Sequence, residues 1–241
     1  MILTAHQPVY LPWLGLFHKI TLADTFVSFN QVQYLKKDWN NRNKIKASTD
    51  AVWLTVPVLS KGYMTKTIAE LEINNNVNWR RKHWRSIYLN YKSAPYFDQY
   101  APILERVYCT EWNRLSELND HMLRLFLDML GIEVTFLDAS NFQFRGRKSD
   151  LVLDMCKQLE AEAYIFGGRG RDYADVDSFR RAGIEPIFQE YNHPQYSQLH
   201  GEFIPNLAII DLLFNCGDRS LEIIMEGNLS RHEIRRSDLY K

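Results

Sequence analysis

The segment Ala5-His6-Gln7-Pro8-Val9-Tyr10-Leu11-Pro12-Trp13-Leu14-Gly15-Leu16-Phe17-His18-Lys19-Ile20 carries more chemistry than a strand-to-helix turn requires. It follows the apolar run Met1 to Ala5, which reads as a buried first strand, and it leads into a helix over about residues 12–23. An ordinary turn of this kind needs one capping residue and one glycine. Pro8 and Pro12 each fix φ and remove a backbone donor, so this turn is stiff. A stiff turn between a first strand and a helix N-terminus is where open α/β sheets hold anionic ligands.

Outward from that turn the pattern alternates. A second strand is expected at about 25–34, then a polar, basic segment from Tyr34 to Ser48, and a strand from Val52 to Leu59 closed by Pro57 and a Lys61-Gly62 turn. Residues 66–73 alternate loosely, as a further strand would. From Val77 to Leu130 the period is helical, with Trp79, His83, Ile87 and Tyr91 four apart and a long helix from Leu115 that Gly131 stops. Ile132 to Leu137 reads as strand, and Ser149-Asp150 as the cap of a helix to Leu159. A strand at Ala163 to Phe166 enters a glycine turn, followed by a short helix (Asp175 to Ala182), a strand (Ile184 to Tyr191) and an apolar helix (Leu207 to Cys216). Strands separated by helices in this way predict an α/β fold, a Rossmann-like, mainly parallel sheet with helices on both faces. We expect one domain over residues 1–241, with roughly 77–130 as a helical insertion or lid.

Composition narrows the function classes. The 29 basic and 29 acidic residues cancel, so bulk attraction to nucleic acid or to a membrane surface is not expected. No 18-residue apolar stretch is present, and Met1 to Ala5 is too short for a signal-peptide core. Three cysteines at unrelated spacings suit a reducing compartment better than a disulfide framework. These features lead to the expectation of a cytoplasmic protein without membrane insertion.

Candidate chemistry gathers at the predicted strand ends. His6 stands where it could donate to a phosphate or act as general acid or base, against the plainer reading of a histidine bonded to nearby backbone. Gln7 and Tyr10 add polar groups to the same turn. Lys19 either reaches a ligand phosphate or is solvated, Trp13 and Phe17 suit a core, and His18 a surface. The second cluster holds Gln33, Tyr34, Lys36, Lys37, Trp39, Asn40, Asn41, Arg42, Asn43, Lys44 and Lys46, five basic residues against one acid, Asp38. Amides, an indole and a guanidinium so concentrated suit phosphate and sugar recognition, with Asn41, Arg42 and Asn43 the prime candidates; a solvated loop is the alternative. On the 79–92 helix, Trp84, Tyr88 and Tyr91 read as a core stripe. In Gly167-Gly168-Arg169-Gly170-Arg171-Asp172-Tyr173 the glycines admit close backbone approach, and Gly167, Gly168, Arg169 and Tyr173 are candidate ligand contacts. His193 is a last candidate. Asp211, inside an apolar helix, needs a buried partner and is read as structural. No compact metal-ligand spacing occurs, so no metal site is assigned.

His6-Gln7-Pro8-x-Tyr10-Leu11-Pro12-Trp13, with Gly15, Phe17 and Lys19-Ile20, resembles the start of the WbqC-like family. The resemblance continues through Val32-Gln33-Tyr34, Asn41-Arg42-Asn43 and Trp53 to Val58, and returns at Tyr164, Gly167, Tyr173, Gly183-Ile184, Tyr191, His193-Pro194, Tyr196, Gln198 and Phe203 to Gly217. Leu16 and Asn30 depart from the pattern, which has tyrosine and aspartate there. The resemblance implies a transferase acting on surface-polysaccharide (O-antigen) precursors, with glycine or another acyl or amino-acid group as the suggested cargo. Nucleotides or nucleotide-sugars are the expected ligands, and other enzymes of the pathway the expected partners. No cofactor is fixed by the residues; ATP with magnesium is the one a ligase-type activity would use. A non-catalytic sugar-nucleotide-binding or partner-binding protein of the same pathway is the competing expectation.

Overall fold

The computed structural model describes residues 1–36, 38–59 and 62–236; Lys37 and Lys61 of the expected turn lie outside them. The central sheet has five strands in the order β5-β2-β1-β6-β7, every neighbouring pair parallel. They are β1 (Ile2–His6), β2 (Thr25–Ser28), β5 (Thr135–Asp138), β6 (Ala163–Phe166) and β7 (Glu185–Phe188). Between β2 and β5 the chain builds a separate antiparallel hairpin, β3 (Arg42–Lys46) with β4 (Ala51–Thr55).

Alternation along the strands separates two apolar faces. Ile2, Ala163, Ile165 and Ile187 pack with Leu22, Ala23 and Ile234, from the end of α1 (Leu14–Thr21) and from α9 (Arg231–Arg236). Leu3, Val27, Tyr164 and Phe166 face the other way, onto Met155 and Cys156 of α5 (Ser149–Gln158) and Phe179 of α6 (Val176–Arg181). The expected α/β, Rossmann-like sheet flanked by helices is therefore present. The helical stretch consists of α2 (Trp79–Tyr91), α3 (Phe97–Cys109) and α4 (Leu115–Leu130). These share one apolar cluster with α1, with the hairpin residues Ile45 and Leu54, and with α7 (Ile209–Cys216) and α8 (Ser220–Met225). Gly131 ends α4 at φ 66°, a left-handed cap that favours glycine.

Several boundaries differ from the sequence expectation. The second strand stops at Ser28, because the carbonyls of Asn30 and Val32 accept from Ala69 and Ile68 instead of a sheet neighbour. Residues 66–73 form no strand; Thr67 and Glu70 close a capping box around a single 3₁₀ turn, Ile68–Glu70. Ser149 does not cap α5; its hydroxyl accepts from the Asp175 amide. Tyr88 lies exposed rather than in the core stripe that Trp79, His83, Ile87 and Tyr91 form.

The chain runs outward from β1 through β2 to β5, then returns to β6 on the other side of β1. The carboxyl ends of β1 and β6 thus flank a topological switch point, the crevice where open α/β sheets bind ligands.

Candidate functional site

A cavity of about 900 Å³ opens at that crevice. Its floor is Ala5, His6 and Gln7 from the end of β1 and Gly167 to Gly170 after β6. Trp13, Gly15, Leu16 and Lys19 contribute one side, Gln189 and Tyr191 another, and Asp38, Trp39 and Asn40 a third. Lys148, Asp172 and Tyr173 complete the rim.

Lys19 is the charge at the centre. It is only 4% exposed, and its Nζ donates to the Ala5 carbonyl at 2.8 Å. That carbonyl is its one hydrogen-bond partner among the described residues, and none of their carboxylates pairs with it. Burial pulls its ammonium down to about 7. An ammonium with unused donors and no counter-charge is costly to bury, and an anion entering the cavity would offset that cost. A Cβ built on Gly167 would lie 4.0 Å from Nζ and one on Gly168 would meet nothing, so packing demands neither glycine. Their bare backbone leaves the approach to Lys19 open. Gly170 is different, since a side chain there would drive into the ring of Phe166.

His6 sits beside Lys19. Its Nδ1–H donates to the Gln7 carbonyl at 2.8 Å, which leaves a lone pair on Nε2. Burial lowers its pKa to about 3, helped by the Lys19 charge and opposed by the Gln7 hydrogen bond. The ring is therefore neutral at pH 7, an acceptor rather than a cationic phosphate donor. Its edge packs against Trp13, centroids 5.4 Å apart.

The prolyl turn is held by the segment that follows it in the sequence cluster. The Asn40 amide donates to the Pro8 carbonyl at 2.9 Å and to Gln7 Oε1 at 3.3 Å. The Asn43 amide donates to the Leu11 carbonyl, and the Tyr10 amide to the Trp39 carbonyl. Leu11 is fully buried at φ 47°, a left-handed conformation that a leucine resists, and the Asn43 clamp fixes it there.

The structure brings His6, Gln7, Lys19, Gly167, Gly168, Arg169 and Tyr173 to the cavity and places the other candidates elsewhere. Tyr10 is fully buried, its hydroxyl 2.9 Å from His83 Nδ1 and 2.6 Å from the Tyr108 hydroxyl. Asn41, just before the hairpin, donates to the Val56 carbonyl and, like Asn43 within it, is buried. Arg42 lies over the Trp53 ring, 4.4 Å from its centroid. Gln33 donates to the Met64 carbonyl. His193 accepts from the Asn206 amide at Nε2 and donates from Nδ1 to the Pro194 carbonyl. The residues missed are Trp13, expected in the core but lining the cavity, together with Gln189, Tyr191 and Lys148. His18 is buried rather than superficial, between the Leu229 carbonyl and the Gln189 amide.

Asp211 is structural, as expected. It accepts from Tyr91, Tyr196 and Gln198, all within 2.9 Å, and its pKa is raised by burial. Among the described residues no three His, Cys, Asp or Glu side chains gather as a metal cluster, and no helix is long and apolar enough to cross a membrane.

A five-stranded parallel sheet flanked by helices, with a cavity lined by Lys19, Trp13 and Trp39 at its switch point, defines a Rossmann-like α/β protein. The chain belongs to the WbqC-like protein family, whose pattern matches residues 7–223. It is 35% identical over 213 residues to the uncharacterized protein Rv1507c of Mycobacterium tuberculosis, an alignment covering 88% of this chain and 92% of that protein. No solved structure matches the chain.

Proposed function

We propose that the switch-point cavity holds the phosphates of a nucleotide or nucleotide-sugar, and that the chain acts in the cytoplasm as a transferase on surface-polysaccharide precursors. The observation that carries the binding half is the buried Lys19 ammonium, which lines the cavity and pairs with no carboxylate among the described residues. The open backbone at Gly167 and Gly168 and the indoles of Trp13 and Trp39 supply the complement for phosphate and for a base or sugar ring. The family resemblance supplies the polysaccharide context and the cargo, glycine or another acyl group. In that reaction His6 Nε2 takes the proton of an acceptor hydroxyl as its oxygen attacks the acyl carbon and the donor's leaving group departs. A bound phosphate beside His6 would raise its pKa toward the useful range. In a ligase version, the carboxylate is first activated by ATP with magnesium.

One observation favours a non-catalytic binding protein of the same pathway instead: the low pKa of His6 makes it a weak base before ligand arrives. A thermal-shift panel of magnesium-ATP, nucleoside diphosphates and nucleotide-sugars tests the binding, since a native-state ligand raises the melting temperature by mass action. The responding nucleotide-sugar, incubated with acyl donors and followed by mass spectrometry, tests transfer. We expect His6→Ala to keep the thermal shift and lose the product. Absence of any shift across the panel contradicts the proposal.

A further inference from the structure

We propose that the cavity continues onto the outer face of the β3–β4 hairpin as a second subsite, which binds an anionic oligosaccharide. The inference extends the proposed anion cavity to a larger substrate. Its basis is a continuous line of rings leading from the cavity to solvent. His6 meets Trp13 at 5.4 Å, Trp13 meets Trp39 at 6.2 Å, and Trp39 meets Trp53 at 5.5 Å between centroids. Trp13 and Trp39 line the cavity, whereas Trp53 is on the hairpin beyond it. Trp39 is 39% and Trp53 43% exposed, so two adjacent indoles reach solvent at the outer edge of the cavity. Adjacent exposed aromatics continuous with a cavity mark a contact surface rather than scattered surface apolarity.

The charge beside the indoles selects the occupant. Register places Lys44 directly opposite Trp53 on the hairpin, and Arg42 lies two residues before Lys44 on the same face. Lys44 Nζ and the Arg42 guanidinium lie 5.0 Å and 4.4 Å from the Trp53 centroid. Exposed indoles with cations packed on the Trp53 ring suit a sugar chain that bears carboxylates or phosphates. A single-stranded nucleic acid would also use stacking and cations. The balanced overall charge, 29 basic against 29 acidic residues, gives no field to gather a polyanion of that length.

The test is isothermal titration of the full chain with three probes: trigalacturonic acid, uridine diphosphate, and a short oligothymidylate. The variants are Trp53→Ala, Trp53→Phe and Lys44→Ala, each checked for an unchanged thermal melt. We expect Trp53→Ala to weaken trigalacturonic acid by about tenfold, while Trp53→Phe and all uridine diphosphate affinities stay within about twofold. Lys44→Ala should weaken the trisaccharide and flatten its salt dependence. Three results would overturn the subsite: no trisaccharide binding to the wild type, equal losses for both small probes in Trp53→Ala, or tighter binding of the oligothymidylate. If the trisaccharide binds through Trp53 while uridine diphosphate does not bind, the subsite stands and the nucleotide reading of the cavity falls.

Discussion

Lys19, His6 and Asp120 hold protonation states that burial sets. Lys19 is lowered from 10.5 to about 7, so between those values the unfolded chain binds a proton that the folded chain has released. Stability attributable to Lys19 therefore rises with pH across that window, and its burial cost is greatest below pH 7. Anion binding runs the opposite way, because only the charged ammonium attracts a phosphate. Affinity for uridine diphosphate should fall as pH rises through about 7 to 8.5, and titrations at several pH values check it. A flat profile would mean that Lys19 does not meet the ligand. His6, lowered to about 3, destabilises the fold as pH drops from 6.5 toward that value. Asp120 is the reverse case. Burial pushes it up to about 7, against the Ser28 hydroxyl that donates to it at 2.6 Å, and Asp138 adds repulsion. Folding is penalised once it must ionise, so Asp120→Asn should raise the melting temperature above pH 7 and leave it unchanged near pH 4; calorimetry at both pH values decides this.

The elements that matter most are the prolyl turn and the hairpin that braces it. Asn43 satisfies the buried carbonyl of Leu11 and accepts from the Lys44 amide at 2.8 Å. Asn43→Ala should cost about 2 kcal/mol by leaving both groups unmet, a fall of about 6 °C in melting temperature for a chain of this size. A change under about 1 °C would show that the turn holds its shape without the clamp. The turn itself was legible in the sequence, because two prolines, a histidine and a following apolar helix are local signals. Of the hairpin only β4 was, as the strand expected from Val52 and found at Ala51–Thr55. Asn41, just before β3, and Asn43 and Lys46 within it are polar residues whose side chains are buried, so the apolar period-two pattern that marks a strand was absent from Arg42–Lys46. They read as ligand contacts because their true partners, the carbonyls of Val56 and Leu11 and the Glu202 backbone, lie elsewhere in the chain. His18 misleads in the same way, since it is buried by Gln189 and Leu229, about 170 and 210 residues further on.

At the scale of the whole molecule, topology does what no single motif does. The sheet order puts the ends of β1 and β6 side by side, so His6 and Gly167 share one cavity although 160 residues separate them. Strand–helix alternation and the glycine turn foretold that edge, and the glycines, Arg169 and Tyr173 reached the cavity as their position after a strand suggested. What alternation could not show is that Lys19, on the buried side of α1, faces the same opening without a counter-charge. On that lysine the account depends most. The direct measurement is isothermal titration of uridine diphosphate into the wild type and Lys19→Met at about pH 6.5, below the ammonium's depressed pKa. Lys19→Met should fold at least as stably, since it removes an unpaired buried charge, yet lose binding by about a hundredfold. A folded Lys19→Met protein that binds the nucleotide as tightly as the wild type would contradict the account.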